Sequence, residues 1–508
     1  MFTKINSVGL FGLNAFAVEA EIDAVRGLPS FEIVGLPDTS VKESKERVHA
    51  ALSNSGVNFP MGKITVNLAP ADMKKSGSAH DLAIFVALLC AAHAIDADLT
   101  DSAFIGELSL GGAVKRVNGV LPMAIKASEN GIKKLYVPYD NAYEAAVVED
   151  VEIYGVKDVC ELISHINGTK LIEKTPQYIP TQREFYSDLD FADVKGQQKA
   201  KRALEIAVAG GHNVLLIGSP GSGKSMLAKR LPTIMPPMTF KESIETTGIH
   251  SIAGKTTPDM PLISARPFRS PHHTVSTAGL VGGGTVPKPG ELSLAHNGVL
   301  FLDELPEFQR QTLEVLRQPI EERKVTISRA YGTLSYPCSI MLVAAMNPCP
   351  CGYFGHPARK CTCTDKQVAS YLSKISGPLL DRIDLHIEVA PVEYSDLSSK
   401  EKEESSEQIR QRIQRARSIQ QKRFEGTDIT CNAQITPALL NEFCPMSDEA
   451  SKMLENAFDK MGLSGRAYDR ILKVARTVAD LEEADIIDKK HVAQAIQYRS
   501  LDRKYWSR

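Results

Sequence analysis

Hydrophobic and polar positions follow two rhythms in the first third of the chain. Runs such as Phe31-Glu32-Ile33-Val34, Ile64-Thr65-Val66-Asn67-Leu68 and Leu135-Tyr136-Val137 predict strands, and residues 41–52 carry the spacing of an amphipathic helix. Residues 82–92 are apolar but too short to span a bilayer, and His80-Asp81 precede them, so they predict a buried helix. From about residue 190, strands and helices alternate as in a nucleotide-binding α/β sheet. The runs Val214-Leu215-Leu216-Ile217, Val299-Leu300-Phe301-Leu302 and Ile340-Met341-Leu342-Val343-Ala344-Ala345 predict parallel strands buried on both faces. Residues 325–336 alternate and turn like a β-hairpin with Arg329 and Tyr331 at its tip. Beyond the charged stretch 398–407 the pattern is almost entirely helical, with Ile409, Ile413, Ala416 and Ile419 forming one apolar face. The expected domains are 1–168, 190–395 and 396–508, with a linker over 169–189 whose clearest signal is the proline-containing stretch 176–185.

Composition narrows the functional classes. A chain of 508 residues holds two or three domains. A formal net charge of -2 gives no global sign of a nucleic-acid binder, so such a surface has to be local. The opening Met1-Phe2-Thr3-Lys4 starts no signal peptide, and no apolar run reaches membrane-spanning length, so the expectation is a cytoplasmic protein without a membrane partner. Nine cysteines in that compartment point toward metal wherever they cluster, not toward disulfides.

The chemistry centres on Gly218-Ser219-Pro220-Gly221-Ser222-Gly223-Lys224-Ser225, which follows an apolar strand and opens a helix. That is the setting of a phosphate-binding loop: glycines let the backbone turn its N–H groups toward the phosphates, and the helix N-terminus favours the anion. Lys224 can reach the β- and γ-phosphates of ATP, and Ser225 can ligate Mg²⁺. The strand 299–302 delivers Asp303 and Glu304, the first suited to holding Mg²⁺ and the second to polarising the attacking water. The next strand ends at Asn347, an amide suited to orienting water; Arg382 precedes a further strand and Arg466 opens a predicted helix. Together these residues resemble the AAA+ ATPases. The resemblance implies an AAA+ P-loop NTPase core with a C-terminal helical lid, Asn347 as sensor 1, Arg382 as arginine finger, Arg466 as sensor 2, and residues 190–196 beside adenine. It also implies a ring of subunits, usually six, because the finger serves a neighbour's nucleotide.

Two insertions indicate what such a motor grips. Residues 266–290 form a long polar, glycine-rich excursion carrying His272-His273, and the 325–336 hairpin follows Asp303. They resemble insertions of the AAA+ group that contains magnesium chelatase and the MCM helicases, where hairpins line the channel. Arg329 to a phosphate and Tyr331 to a base face suit single-stranded DNA; a hairpin packed on the neighbouring subunit fits the same pattern. Six cations between Arg410 and Arg423 add a basic stripe that also reads as a solvated helix face. Within 349–363, Cys349, Cys351, Cys361 and Cys363 have the count and reach for a tetrahedral Zn²⁺ site, with a redox switch as the competing use.

The front region carries Gly106-Glu107-Leu108-Ser109-Leu110-Gly111-Gly112 and Ser76-Gly77-Ser78-Ala79-His80-Asp81-Leu82, which resemble the proteolytic domain of Lon. The implied fold is α+β, Lon-protease-like (ribosomal S5 domain 2-like). By hand alignment Ala79 takes the place of the catalytic serine and Leu121 that of the lysine, which predicts a scaffold and not a protease. Along nearly its whole length the chain resembles the YifB/ComM family. That resemblance implies an ATP-dependent, hexameric DNA helicase driving branch migration in recombination or natural transformation, acting on single-stranded or branched DNA. A magnesium-chelatase-type ATPase subunit shares only the region from residue 190 onward, an ATP-dependent protease would need the missing catalytic pair, and a chaperone-like remodeller is a further alternative.

Overall fold

The computed structural model describes the chain apart from residues 1, 61, 179–188, 285–286, 330–331, 393, 395–397, 399–402 and 507–508, and the side chains of residues 329, 332, 502 and 503. Most of the 176–185 linker stretch, Tyr331 and the side chain of Arg329 therefore lie outside the described residues. The chain forms two compact units, the first comprising Met1–Gln182, Phe240–Ser264 and Ser328–Tyr336, the second Arg183–Thr239, Ala265–Ile327 and Pro337–Arg508.

The first unit is built on a seven-stranded mixed sheet in the order Ser30–Val34, Lys63–Ala69, Asn14–Val25, Phe2–Phe11, Ser102–Phe104, Lys134–Pro138, Glu152–Val156. In its antiparallel part Phe16, Val18, Ala20 and Ile22 pack with Ile64, Val66 and Leu68 against the helices Thr39–Asn54 and Asp81–Ala91, while Val8 is buried in a second apolar cluster with Leu10 and Ala15 packed against it. The parallel strand Lys134–Pro138 is covered on both faces, Tyr136 on one and Leu135 and Val137 on the other, as an interior parallel strand requires. The apolar run that starts at residue 82 forms the buried helix Asp81–Ala91. Its buried Asp81 is held by Arg47 Nε at 2.6 Å, the Ser44 hydroxyl and the Leu108 N–H.

Phe240–Ser264, which in sequence falls inside the nucleotide-binding region, belongs to this first unit. Its helix Phe240–Ile252 packs on the helix Val120–Glu129, and Leu262 joins Leu121 and Val147 in a small apolar cluster. A buried carboxylate fastens it. Glu144 accepts from the Leu121 N–H at 3.2 Å, from Asn141, from the Ser251 hydroxyl and from the Thr256 hydroxyl at 3.3 Å, with the Arg116 guanidinium 3.9 Å away. The expected hairpin forms from Lys324–Arg329 and Gly332–Pro337. Within the first unit its Leu334 fills the space over Gly12, where a Cβ would come within 2.7 Å.

The second unit is a five-stranded parallel sheet in the order Phe268–Arg269, Val299–Leu302, Met341–Met346, Val214–Ile217, Leu385–Glu388. Helices Gln198–Gly210, Ser406–Arg423 and Gly465–Leu481 pack on one another and share one core with the sheet. In Ser406–Arg423 the buried positions are Ser406, Ile409, Ile413, Ala416 and Gln420; Ile419 is half-buried. A period of 3.6 carries the inner stripe to residue 420, and the glutamine is tolerated because its Nε2 donates to the Ala209 carbonyl at 3.1 Å. Among the described residues no helix is long and apolar enough to cross a membrane.

Glu144→Ala leaves several buried donors without their acceptor. The expected cost is about 3 kcal/mol, seen as a lower melting temperature of the first unit, with residues 240–264 becoming the earliest cleavage site in limited proteolysis.

Candidate active site

The strand Val214–Ile217 is buried at every position, so the chain leaves the sheet at a fixed point and turns through Gly221 and Gly223, both at positive φ, into the helix Lys224–Ile234. Lys224 Nζ lies in the hollow so formed, donating to the carbonyls of Gly218 and Ser219 at 2.8 and 3.0 Å and to Asn347 Oδ1 at 3.2 Å. Burial lowers the pKa of this ammonium, against the opposing pull of Asp303 and Glu304. Ser225 Oγ donates to Asp303 Oδ2 at 2.7 Å. Three segments far apart in sequence therefore meet, bringing together a cation, a hydroxyl, a carboxylate and an amide, a set suited to holding a nucleoside triphosphate with its divalent ion.

Strand register explains the convergence. Leu302 pairs with Ala344 and Ile217 with Met346, so Asp303, Asn347 and Gly218 leave the same edge of the sheet. Glu304 adopts a left-handed conformation, φ 53°, and its N–H donates to Asp303 Oδ1. Its carboxylate remains 59% exposed, with His273 Nδ1 3.9 Å away. Sequence reasoning missed this role for His273, because the histidine precedes Glu304 by a long glycine-rich excursion. Gln197, another residue it missed, donates to the carbonyls of Ser222 and Ala390 and so bridges the phosphate loop to the chain after the last strand. Residues 190–196 pack on the helix that follows the loop, where Arg230 binds the Asp190 carbonyl at 2.6 Å and the Asp193 carboxylate at 3.0 Å.

Arg382 lies at the other edge. The chain after it joins the sheet beside Asn213, at the start of the phosphate-loop strand, so Arg382 sits at the opposite strand ends from its own phosphate loop. It is 8% exposed, paired with Glu321 at 2.7 Å and bonded to the carbonyls of Arg317 and Pro378. Beside it Asp384 accepts from the Asn213 N–H, with Arg470 Nε at 3.4 Å and His212 Nδ1 at 3.6 Å. Burial alone would raise its pKa, but His212, Arg470 and the Asn213 N–H hold the carboxyl well below the usual range. Arg466 is exposed in the first turn of Gly465–Leu481; on the same helix Arg470 and Arg476 turn inward.

The basic stripe from Arg410 to Arg423 is largely matched internally. Arg410 pairs with Glu407, Arg412 with Glu404 and Glu205, Arg415 with Glu483 and Arg423 with Asp480. In the first unit, Leu121 is fully buried, and the Ser78 hydroxyl is bonded to Glu107.

The four cysteines converge. All four Sγ atoms lie within 4.8 Å of one another, with separations of 3.3, 3.5 and 3.7 Å among Cys349, Cys351 and Cys361. A tetrahedral ion with Zn–S bonds of about 2.3 Å needs sulfurs about 3.8 Å apart, so the cluster fits Zn²⁺. The N–H groups of Gly352 and Phe354 point at the Cys349 sulfur. Burial works against a Cys351 thiolate, yet the Thr362 and Tyr353 N–H groups bring its pKa down to about 5.

A phosphate-loop sheet of this order with a helical C-terminal region defines an AAA+ protein of the magnesium-chelatase type, here carrying a Lon-like front. The profile of magnesium chelatase, subunit ChlI, matches residues 190–397, that of subunit ChlI of Mg-chelatase residues 18–141, and that of the ChlI C-terminal region residues 403–499. YifB of Escherichia coli (strain K12) is 41% identical over 503 residues, 98% of this chain and 97% of its own. Competence protein ComM of Haemophilus influenzae is 42% identical over 497 residues, 97% of this chain and 96% of its own. Lon protease 2 of Bacillus subtilis is 26% identical over 198 residues, 35% of this chain and 36% of its own. The chain belongs to the YifB/ComM family of magnesium-chelatase-like ATPases.

The depressed pKa of Asp384 has a consequence for acid stability. Its contribution is fully present above the unfolded-state value of about 3.9 and is lost as pH falls through the lower folded-state value. Asp384→Asn is expected to cost about 3–5 kcal/mol at pH 7, and the gap to wild type narrows below about pH 4. Denaturant midpoints from pH 7 to pH 3 measure both effects.

Proposed function

We propose that this chain is an ATP-driven, ring-forming DNA motor, a helicase or branch-migration enzyme of recombination or natural transformation. The observation that carries the ATPase reading is the meeting of Lys224, Ser225, Asp303 and Asn347 at one sheet edge with Glu304 exposed beside them. Lys224 and the loop N–H groups bind the β- and γ-phosphates; Ser225 and Asp303 would hold Mg²⁺, which neutralises charge on the phosphate oxygens. Glu304 accepts the proton of the attacking water, and Asn347 orients that water. His273 sits where it can steer the Glu304 carboxylate.

Two features support a ring. Arg382 lies at the strand ends away from its own phosphate loop, so it can serve only the nucleotide of a neighbouring copy, after exchanging Glu321 for phosphate. Oligomers are also the habit of the magnesium-chelatase-like family, and six is the number that suits AAA+ geometry. The assignment of DNA rests on the likeness to a competence protein and on the chemistry of Arg329 and Tyr331. The protease alternative is disfavoured by Leu121, sealed in an apolar cluster where a catalytic lysine would need to be free, so the Lon-like unit is read as a scaffold. Zn²⁺ held by Cys349, Cys351, Cys361 and Cys363 would be structural, because four thiolates fill its coordination sphere.

Glu304→Gln should bind ATP at wild-type affinity while hydrolysis falls about 10²–10⁴-fold, measured by phosphate release and fluorescent-nucleotide binding. Lys224→Ala and Arg382→Ala chains, each inactive alone, should regain some of the activity when mixed; no rescue speaks against a shared site. Single-stranded or branched DNA should stimulate hydrolysis, and a fully assembled ring indifferent to every nucleic acid excludes the motor.

A further inference from the structure

We propose that the four-cysteine knuckle is a metal-dependent brace of the phosphate loop, so that ATP affinity follows metal occupancy; the proposal rests on the zinc reading above. Gly352 turns between the two cysteine pairs at φ +83°. A Cβ there would lie 2.4 Å from Pro220 Cδ and 2.7 Å from Cγ. The knuckle backbone therefore lies directly on the proline in the middle of the phosphate loop, and no larger residue fits between them.

Two further ties reach the same place. Cys349 lies two residues beyond Asn347, whose Oδ1 receives the Lys224 ammonium. Cys363 leads directly into the helix Asp365–Leu372, which opens with a Thr364–Gln367 capping box. Its buried Tyr371 accepts the backbone N–H of Asn347. The segment from Asn347 through the knuckle to Tyr371 thus closes on itself, with the sulfurs as the crosslink between its two limbs. On the outer side the Phe354 and Tyr505 rings lie 6.3 Å apart, tilted by 60°, and a Cβ at Gly355 would lie 3.8 Å from Lys504 Cε, so the knuckle is backed by the last helix, Leu501–Tyr505.

A cation bound by the four sulfurs crosslinks the two limbs; without it that tie is gone, and both the Pro220 wall and the Asn347 amide lose their support. The contact is one of position: none of the cysteines faces phosphate chemistry.

The test uses the full-length chain. Elemental analysis should find one zinc per chain. Removing it with 1,10-phenanthroline, with Mg²⁺ then restored, should weaken binding of a fluorescent ATP analogue about tenfold, and returning Zn²⁺ should reverse the loss. Gly352→Ala should keep its zinc yet bind the analogue as weakly as the stripped protein; Cys361→Ser with Cys363→Ser should lose both. Absence of zinc from the purified protein overturns the zinc reading and the brace with it. Zinc at full occupancy, with affinity unchanged by stripping or by a zinc-retaining Gly352→Ala, overturns the brace alone. Should Gly352→Ala fail to fold, strip-and-return on the wild-type chain decides.

Discussion

The hydrogen bond from Ser225 to Asp303 depends on three strands being in one particular register, and most of the candidate chemistry follows from that constraint. The strand ending at Asn347 lies between the strand that feeds the phosphate loop and the strand that delivers the acids. Parallel pairing then brings all three C-terminal ends to one edge, where helix dipole, loop N–H groups and the carboxylate act on the same small volume. A slip of one residue in any of these strands would turn its buried side chains to the wrong face and separate the hydroxyl from its acid. The apolar runs in the three strands are therefore the alignment mechanism of the site as well as its core.

Charge is distributed to match this geometry. The second unit keeps Lys224 at one edge and a group of partly buried arginines at the other, where Arg382, Arg470 and Asp384 share the surroundings of Asn213. Along the helical region, Arg412 reaches Glu205, and Arg423 and Arg476 both grip the buried Asp480. Such pairs contribute modest net stability but strongly disfavour misplacement of either helix, since an unpaired buried charge is costly.

The Lon-like unit applies the same logic to a different end. Its sheet and buried helix are complete, while the position expected for a catalytic lysine is an apolar contact, Leu121 against Leu262. The segment supplying Leu262 comes from within the nucleotide-binding region of the sequence, and Glu144 fastens it.

Local signals made much of this legible. The phosphate loop, the acid pair, Asn347 and the cysteine pairs are short motifs whose chemistry depends on near neighbours and on the strand or helix they adjoin, and periodicity revealed those elements. Other features depended on residues distant in sequence. Gln420 takes the inward place expected of Ile419 because Ala209 offers it a carbonyl, and Arg412 and Arg423 of the basic stripe are matched by Glu205 and Asp480 on other helices. The pairing of His273 with Glu304 and the seat of Gly352 on Pro220 are likewise invisible in spacing. The sequence by itself determined which elements form and which side chains can do chemistry, because backbone propensity and hydrophobic period are local properties. Only the tertiary structure decided which charges are already paired, which strand ends share an edge and which loops brace one another, because those are set by packing between segments that the chain order keeps apart.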